Sequence, residues 1–120
     1  MRPGGQRKYF YILLLLALFI GGASRPADME MGQKIYKDTC QVCHGERGDG
    51  QTFVANALNP PPRNFTAEIS KKELTRPRMI KSVTNGRPGT AMMPWKDNLS
   101  AEEISVTVAF IRNKFMGLRD

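Results

Sequence analysis

The pentapeptide Cys40-Gln41-Val42-Cys43-His44 constrains the fold of this chain more than any other stretch. Its spacing is C-x-x-C-H, the pattern at which haem becomes covalently attached to two cysteines. Helical positions three and four apart share one face, so Cys40, Cys43 and His44 can face the same side of a helix. The two thiols are then predicted to form thioethers with one haem, and His44 is predicted to be the proximal ligand of its iron.

Other interpretations of the same residues have less support. A C-x-x-C pair also occurs as a disulfide or as a thioredoxin-like redox motif, but the latter accompanies alternating strands and helices, which this sequence does not predict. Zinc usually takes four ligands, and the chain has only two Cys and one His, all within the motif. A zinc site would therefore need carboxylates or a partner chain. We predict one covalently attached haem c.

Residues 1–24 have the composition of an export signal. Residues 1–8 contain three cations and no acid, residues 9–20 are an unbroken apolar run, and residues 21–24 are small. This order is typical of a secretory signal peptide. The run of 12 apolar residues is short for a membrane span, which needs about 17–25. We predict cleavage near Ala23 or Ser24, with an uncleaved N-terminal membrane anchor as the alternative.

Residues 25–120 are predicted to form one haem-bearing domain in the periplasm, tethered to the outer face of the inner membrane if residues 1–24 are retained. Three of the 18 Lys and Arg and none of the 11 Asp and Glu precede Arg25, which leaves 15 cations, 11 acids and a net charge of +4. The cations are scattered, so the clustered basic footprint of a nucleic-acid-binding protein is missing. A mildly basic face for an acidic redox partner is compatible with this charge.

The apolar pattern predicts an all-α fold. Apolar residues recur at helical spacing over residues 29–42, with Asp28 as the N-cap, and over residues 101–115. Ser100 and Glu103 have the spacing of a capping box that opens the last helix. No hairpin signal or internal repeat is present. We predict three to four short helices joined by long loops.

Two helix starts compete in the middle of the chain. Ser70 and Glu73 have capping-box spacing, but Pro77 limits a helix that begins there. Thr75 is the alternative cap, for a helix over residues 76–84 with Pro77 in its first turn, where proline is tolerated. All helices are predicted to wrap around the haem, which acts as the staple that so small a core needs.

The second axial ligand of the iron is predicted to be a methionine. His44 is the only histidine, which excludes two histidine ligands from one chain. Met92 and Met93 lie in the loop over residues 86–95, an element able to cover the opposite face of the haem. We choose Met93, because Pro94 keeps it out of helical geometry, and retain Met92 as the alternative.

Three further residues or segments are candidates for supporting roles. A carbonyl of the proline-rich run 59–65 is predicted to accept the Nδ1–H of His44, with a plain spacer as the alternative. Arg63 is a candidate partner of a haem propionate, with a solvated surface position as the alternative. Trp95 is predicted to pack in the core, with a propionate contact as the alternative.

The combination of these motifs resembles the class I c-type cytochromes of the small, exported, mono-haem bacterial kind. The resemblance covers residues 33–115, and the motifs that carry it lie around the following residues: Gly32, Tyr36, Cys40 to Gly45, Gly48, Gly50, Pro60 to Phe65, Gly86, Gly89 to Trp95, Leu99, Ser100 and Phe110 to Arg112. The doubled Met92-Met93 differs from the single Met that usually precedes the proline.

The resemblance implies a fold in which the N- and C-terminal helices cross closely, with Gly32 and Tyr36 near Phe110. It implies covalent haem c, His/Met ligation of the iron and one-electron transfer. Residues 25–120 are then a monomeric mono-haem cytochrome c domain, and the chain is an electron carrier rather than an enzyme, since no general base or nucleophile constellation is present.

The expected partners are redox proteins: a dehydrogenase, a bc-type complex or a terminal oxidase. One alternative is a cytochrome subunit within a periplasmic dehydrogenase or oxidase complex. Another is a haem sensor with an open distal site.

Overall fold

The structure, a computed structural model, describes residues 24–120, and the predicted signal peptide or anchor therefore lies outside the described residues except for Ser24. Within that range the chain is helical and has no strand, which confirms the all-α prediction. The elements are, in order, α1 (Pro26–Ile35), a π-helical turn (Tyr36–Cys40), α2 (Gln41–His44), a 3₁₀ turn (Ala55–Ala57), α3 (Glu68–Glu73), α4 (Arg76–Asn85) and α5 (Ala101–Lys114).

The segment α1, the π-helical turn and α2 follow one another without a break, so the domain has four helices when this segment is counted as one. Between residues 24 and 120, no helix combines the length and the apolar character needed to span a bilayer.

The first helix begins earlier than the sequence indicates. Arg25 is the N-cap residue, and Pro26 takes the first helical position, where its missing N–H costs nothing. Asp28 lies inside the first turn, and its carboxylate accepts a hydrogen bond from Nε of Arg25 at 3.2 Å. The prediction that Asp28 caps this helix is therefore wrong, because the fixed backbone of Pro26 sets the start two residues before it.

Of the two candidate helix caps in the middle of the chain, Thr75 is the one observed. The Thr75 hydroxyl accepts from the N–H of Arg78 at 3.4 Å at the start of α4. Ser70 is not a cap: it lies inside α3 and is 2% exposed. At the start of α5, the capping box is confirmed in both directions, with Ser100 accepting from the N–H of Glu103 and the Glu103 carboxylate accepting from the N–H of Ser100.

The core lies where α1 crosses α5. Gly32 sits at the crossing, and a Cβ added to it would lie 2.9 Å from Cβ of Phe110 and would collide with the carbonyl oxygen of Val106. Tyr36, one turn later, packs its ring 5.6 Å from that of Phe110 and 5.1 Å from that of Phe115. This confirms the crossing that the family resemblance implied.

The last residues are tied back onto the helices. The Asp120 carboxylate pairs with Arg112 at 2.7 Å and with Arg76 at 2.8 Å. Arg112 also donates to the carbonyl oxygen of Leu74, and Arg76 to the hydroxyl of Ser105. One carboxylate thus connects α4, α5 and the end of the chain.

Candidate haem-binding site

The C-x-x-C-H motif lies at the end of the first helical segment, across its π-helical turn. The N–H of Gln41 bonds to the carbonyl of Tyr36, five residues back, so this turn holds one residue more than an α-turn. The extra residue rotates everything that follows around the helix axis. Tyr36, at the start of the turn, is 2% exposed in the core, while Cys40, at its end, is only partly buried.

Both thiols of the motif are free. Cys40 and Cys43 are partly buried and form no disulfide. Burial raises the pKa of the Cys40 thiol, and the hydroxyl of Thr39, 3.4 Å from its sulfur, partly opposes that shift. Residues 24–120 contain no group of three or more His, Cys, Asp and Glu side chains placed to hold a metal ion, so the zinc alternative gains no support from the described part of the chain.

The His44 side chain is partly buried and lies against an aromatic ring. It stacks on Phe65, with ring centroids 4.7 Å apart and planes 15° from parallel. Its Nδ1 atom is buried and has no partner with normal hydrogen-bond geometry among residues 24–120. Burial lowers the pKa of His44, whereas the backbone of Arg63 acts in the opposite direction, as a nearby carbonyl does. The carbonyl predicted from the run 59–65 therefore stays a prediction, with Arg63 as its best candidate.

Two backbone contacts and one side chain fix the loop after His44. The N–H of Gly50 donates to the carbonyl of His44, and the N–H of Phe65 donates to the carbonyl of Gly48, both at 2.8 Å. The buried hydroxyl of Tyr36 donates to the carbonyl of Gly45 at 2.6 Å. Burial raises the pKa of Tyr36, so this hydroxyl stays protonated and remains a donor.

The two candidate methionines lie in different environments. The loop that carries them turns at Gly86, whose φ is +68° and where an added Cβ would lie 2.7 Å from the Met92 carbonyl oxygen. That oxygen accepts from the N–H of Arg87 at 2.9 Å. The Met92 side chain is partly buried against the core, whereas Met93 is 54% exposed.

The two remaining sequence candidates have other contacts. The guanidinium of Arg63, a candidate partner of a haem propionate, forms an ion pair with the Glu73 carboxylate at 2.7 Å. The Trp95 side chain is partly buried and packs against the core. The backbone N–H of Trp95 donates to the carbonyl of Val83 at 2.9 Å.

The described residues fit a large apolar cofactor next to the motif. Thr52 lies at the motif, with its hydroxyl 3.5 Å from the Cys43 carbonyl oxygen. Large apolar side chains are exposed in the motif, next to Thr52 and in the segments that follow: Val42 (60%), Phe53 (93%), Val54 (39%), Ile69 (56%) and Met93 (54%). A porphyrin bound at Cys40 and Cys43 would give the exposed side chains beside the motif an apolar surface to contact, and the partly buried imidazole of His44 could supply a nitrogen ligand.

Sequence reasoning missed three features of this site. The π-helical turn has no signal in the residue types of its five positions. The stacking of Phe65 on His44 joins residues 21 positions apart in the sequence, and the bond from Tyr36 to Gly45 joins a side chain to a backbone carbonyl. Helical periodicity marks Tyr36 as buried, but only the fold shows what its hydroxyl contacts.

Comparison with known proteins agrees with this geometry. The family model described as "Cytochrome C oxidase, cbb3-type, subunit III" matches residues 27–111. The "Cbb3-type cytochrome c oxidase subunit CcoP" of Azospirillum brasilense is 29% identical over 90 residues, which are 72% of this chain and 28% of that protein. "Cytochrome c-555" of Methylococcus capsulatus is 32% identical over 112 residues, which are 86% of this chain and 81% of that protein.

A solved structure, the "KustC0563 c-type cytochrome", matches with a TM-score of 0.57 and 29% identity, over 68% of this chain and 94% of that chain. The chain spans about a quarter of the length of the oxidase subunits CcoP and FixP, at 28% and 27%, but most of cytochrome c-555. The resemblance to small class I c-type cytochromes is confirmed. The chain belongs to the family described as cytochrome c oxidase, cbb3-type, subunit III, a family of c-type cytochrome domains whose cofactor is covalently attached haem c.

Proposed function

We propose that residues 25–120 form an exported mono-haem cytochrome c domain that transfers single electrons between redox proteins. The observation that carries the proposal is the set of two free thiols and one partly buried imidazole, whose Nδ1 atom is fully buried, at the end of one helical segment. Cys40 and Cys43 hold the haem as thioethers, and His44 is the proximal ligand. The haem supplies the one-electron chemistry.

Met93 is proposed as the distal ligand, with Met92 as the alternative. Its support is the difference in burial: Met92 is already packed against the core, whereas the thioether of Met93 is exposed on the same loop and free to bind iron. A methionine opposite a histidine gives the iron a raised reduction potential. It also leaves no open position for a substrate, which argues for an electron carrier rather than an enzyme or a sensor.

In this proposal, the protein contributes to electron transfer by burying the haem and by orienting its ligands. The core beneath the motif keeps water from His44, and the crossing of α1 and α5 fixes the helix that bears the thiols. A rigid, desolvated site reduces the rearrangement that accompanies gain or loss of an electron. No side chain in this account donates or accepts a proton during the reaction.

A partner-docking surface is proposed next to the methionine loop. An open depression at the end of α4 is lined by Arg78, Lys81 and Arg87, together with Ser82, Asn85, Gly86 and Pro88. None of its three cations forms an ion pair with another residue in the range 24–120. Gly86 lines the depression and also contacts the Met92-Met93 backbone. This surface suits an acidic patch on the partner, placed near the iron.

The second candidate function is that of a subunit in a larger complex. The family model and the match to CcoP favour it, because both name a cbb3-type cytochrome oxidase. The partner would then be the terminal oxidase itself. The match to 81% of the length of cytochrome c-555 favours the free carrier instead, with a dehydrogenase, a bc-type complex or an oxidase as exchange partners. A stable complex with a larger catalytic chain in gel filtration would select the subunit.

The location of the domain is part of the same proposal. The proposed covalent haem attachment and the export-like residues 1–24 both support a periplasmic location for residues 25–120, either free or tethered by an uncleaved N-terminal segment. Cleavage near Ser24 is tested by the mass of the N-terminal peptide of the mature protein.

The deciding experiment is mass spectrometry and absorbance spectroscopy of protein purified from its native host. We expect one haem mass added to the peptide that contains Cys40 and Cys43, and a weak sulfur-to-iron band in the near infrared of the ferric form. A polypeptide without added porphyrin would overturn the proposal. Haem without the sulfur band, together with ready binding of carbon monoxide by the ferrous form, would favour the sensor with an open distal site.

A further inference from the structure

We infer that Phe65 is the positioning residue that sets the rotational orientation of the His44 imidazole, and through it the electronic state of the bound iron. The inference rests on the proposed role of His44 as proximal ligand. The supporting observation is the stacked pair of rings, 4.7 Å between centroids and 15° between planes.

A stacked contact restricts the imidazole more than ordinary apolar packing does. Two rings whose planes are 15° apart and whose centroids are 4.7 Å apart overlap partly, face against face, and rotation of one ring about its bond to Cβ would drive its edge into the other. Aromatic pairs of this kind contribute about 0.5–1.5 kcal/mol beyond their buried area. The His44 ring therefore has one preferred orientation as long as Phe65 stays in place.

An imidazole ligand is normally oriented by a hydrogen bond from its second ring nitrogen to a carbonyl or carboxylate. Among residues 24–120, Nδ1 of His44 is buried and has no hydrogen-bond partner of normal geometry. The backbone carbonyl of Arg63 is the candidate acceptor. The stack is thus the best-defined contact that can fix the ring.

Phe65 is itself held by the fold and not by the imidazole. It is 6% exposed and belongs to the main hydrophobic cluster. Its N–H donates to the carbonyl of Gly48 at 2.8 Å, which ties it to the loop that leaves His44. The core therefore fixes the position of the Phe65 ring against one face of the His44 imidazole.

Ring orientation matters because the plane of an axial imidazole determines how its π-orbitals interact with the iron d-orbitals. In a low-spin ferric haem, this interaction sets the anisotropy of the unpaired electron, which is visible in the electron paramagnetic resonance spectrum and in the spread of the haem methyl resonances by NMR. Ligand orientation and surroundings are among the means by which a protein adjusts a haem. Phe65 would act on these properties without touching the iron.

The test compares Phe65→Leu with Phe65→Tyr and with the control Phe110→Leu in the haem-bearing protein. Phe110 is equally buried, at 6% exposure, and packs on Tyr36 rather than on His44. We expect Phe65→Leu to broaden the resonance of largest g value and to change the spread of the haem methyl shifts. Phe65→Tyr keeps a ring and should resemble the wild type, and Phe110→Leu should lose stability with little spectral change.

Spectra of Phe65→Leu that match those of Phe110→Leu would overturn the inference. If Phe65→Leu does not accumulate, Phe65→Met takes its place in the same comparison, because the flexible, unbranched methionine side chain adapts better to an irregular space. Failure of the proposed function is recognised separately, because the wild-type protein would then lack thioether-bound haem by mass or would lack the low-spin ferric spectrum before any variant is measured.

Discussion

Gly32 and Phe110 meet at the crossing of α1 and α5 so closely that a methyl group on Gly32 would lie 2.9 Å from Cβ of Phe110. The absence of a side chain at this point lets the two helices approach each other. The helix that bears the cysteines is positioned by this contact, since it continues from Gly32 through Tyr36 to the motif.

The first prediction concerns Gly32→Ala. Alanine favours a helix over glycine by roughly 1 kcal/mol, but here its methyl group would collide with Phe110 and with the carbonyl of Val106. We expect the collision to prevail and the free energy of unfolding to fall by about 1–3 kcal/mol, measured by denaturant titration of the haem protein. Gln33→Ala, on an exposed neighbour in the same helix, is the control. An increase in stability for Gly32→Ala would contradict the close crossing.

The second prediction concerns Tyr36→Phe. The variant keeps the ring packed on Phe110 and Phe115 but leaves the buried carbonyl of Gly45 without its donor. We expect a loss of about 1–3 kcal/mol in the free energy of unfolding at neutral pH.

The same variant has an expected pH dependence. The pKa of Tyr36 is raised in the folded protein, so its contribution to stability is complete below the ordinary tyrosine pKa of about 10 and declines as the pH rises above it. Stability measured between neutral and alkaline pH should therefore fall less steeply in Tyr36→Phe than in the wild type. Parallel curves would show that the hydroxyl is not desolvated as the structure indicates.

The third prediction separates Met92 from Met93. Met93→Ala should remove the near-infrared sulfur band and allow the ferrous protein to bind carbon monoxide, because the exposed thioether is the proposed ligand. Met92→Ala should retain the band but lower the free energy of unfolding by about 1–2 kcal/mol, because this side chain is partly buried against the core. The reversed result would make Met92 the ligand.

The fourth prediction concerns Asp120→Asn. Burial alone would raise the pKa of Asp120, but the hydrogen bonds and positive charges of Arg112 and Arg76 together outweigh burial and keep this pKa below its ordinary value. The ion pairs therefore stabilise the fold above the ordinary carboxyl pKa of about 3.9, and the contribution is lost as the pH falls below it. We expect Asp120→Asn to cost about 1 kcal/mol at neutral pH and to approach wild-type stability at pH values near 3. A difference that persists in acid would argue against an electrostatic origin.

The fifth prediction tests the basic depression. The double variant Arg78→Glu with Lys81→Glu should slow the oxidation of the ferrous protein by the anion ferricyanide and speed its oxidation by a cationic cobalt complex. The difference should be about tenfold at low salt and should decline at high salt. The control is the double variant Lys37→Glu with Lys114→Glu, which reverses two charges at exposed positions on other elements. Equal effects of the two double variants would show that net charge, and not this surface, is responsible.

The sequence allowed the local elements to be predicted where a single residue type decides the geometry. Thr75, Ser100 and Glu103 are caps because their side-chain oxygens reach backbone N–H groups only a few residues away. Asp28 failed as a cap because Pro26, two residues earlier, sets the helix start, and Ser70 failed because burial in α3 took precedence over its capping pattern.

The sequence defines the candidate site only through the motif and the methionine loop. Cys40, Cys43 and His44 are neighbours in sequence, Met93 is chosen from its loop, and their roles stay predictions. The contacts that orient these groups were not predictable, because the stacking partner of His44 and the hydrogen-bond partner of Tyr36 are joined to them only by the tertiary fold. The ion pair between Arg63 and Glu73 was not predictable for the same reason, because it depends on where α3 lies in the fold.

The crossing of α1 and α5 also determines when the domain can mature. Gly32 and Phe110 are 78 positions apart in the sequence, so a growing or partly exported chain carries the cysteines long before it contains the helix that supports them. Contacts between such distant segments form late and slowly. We therefore expect the thiols of a nascent chain to remain accessible until the C-terminal helix is complete, so that haem can be attached before the helix pair closes.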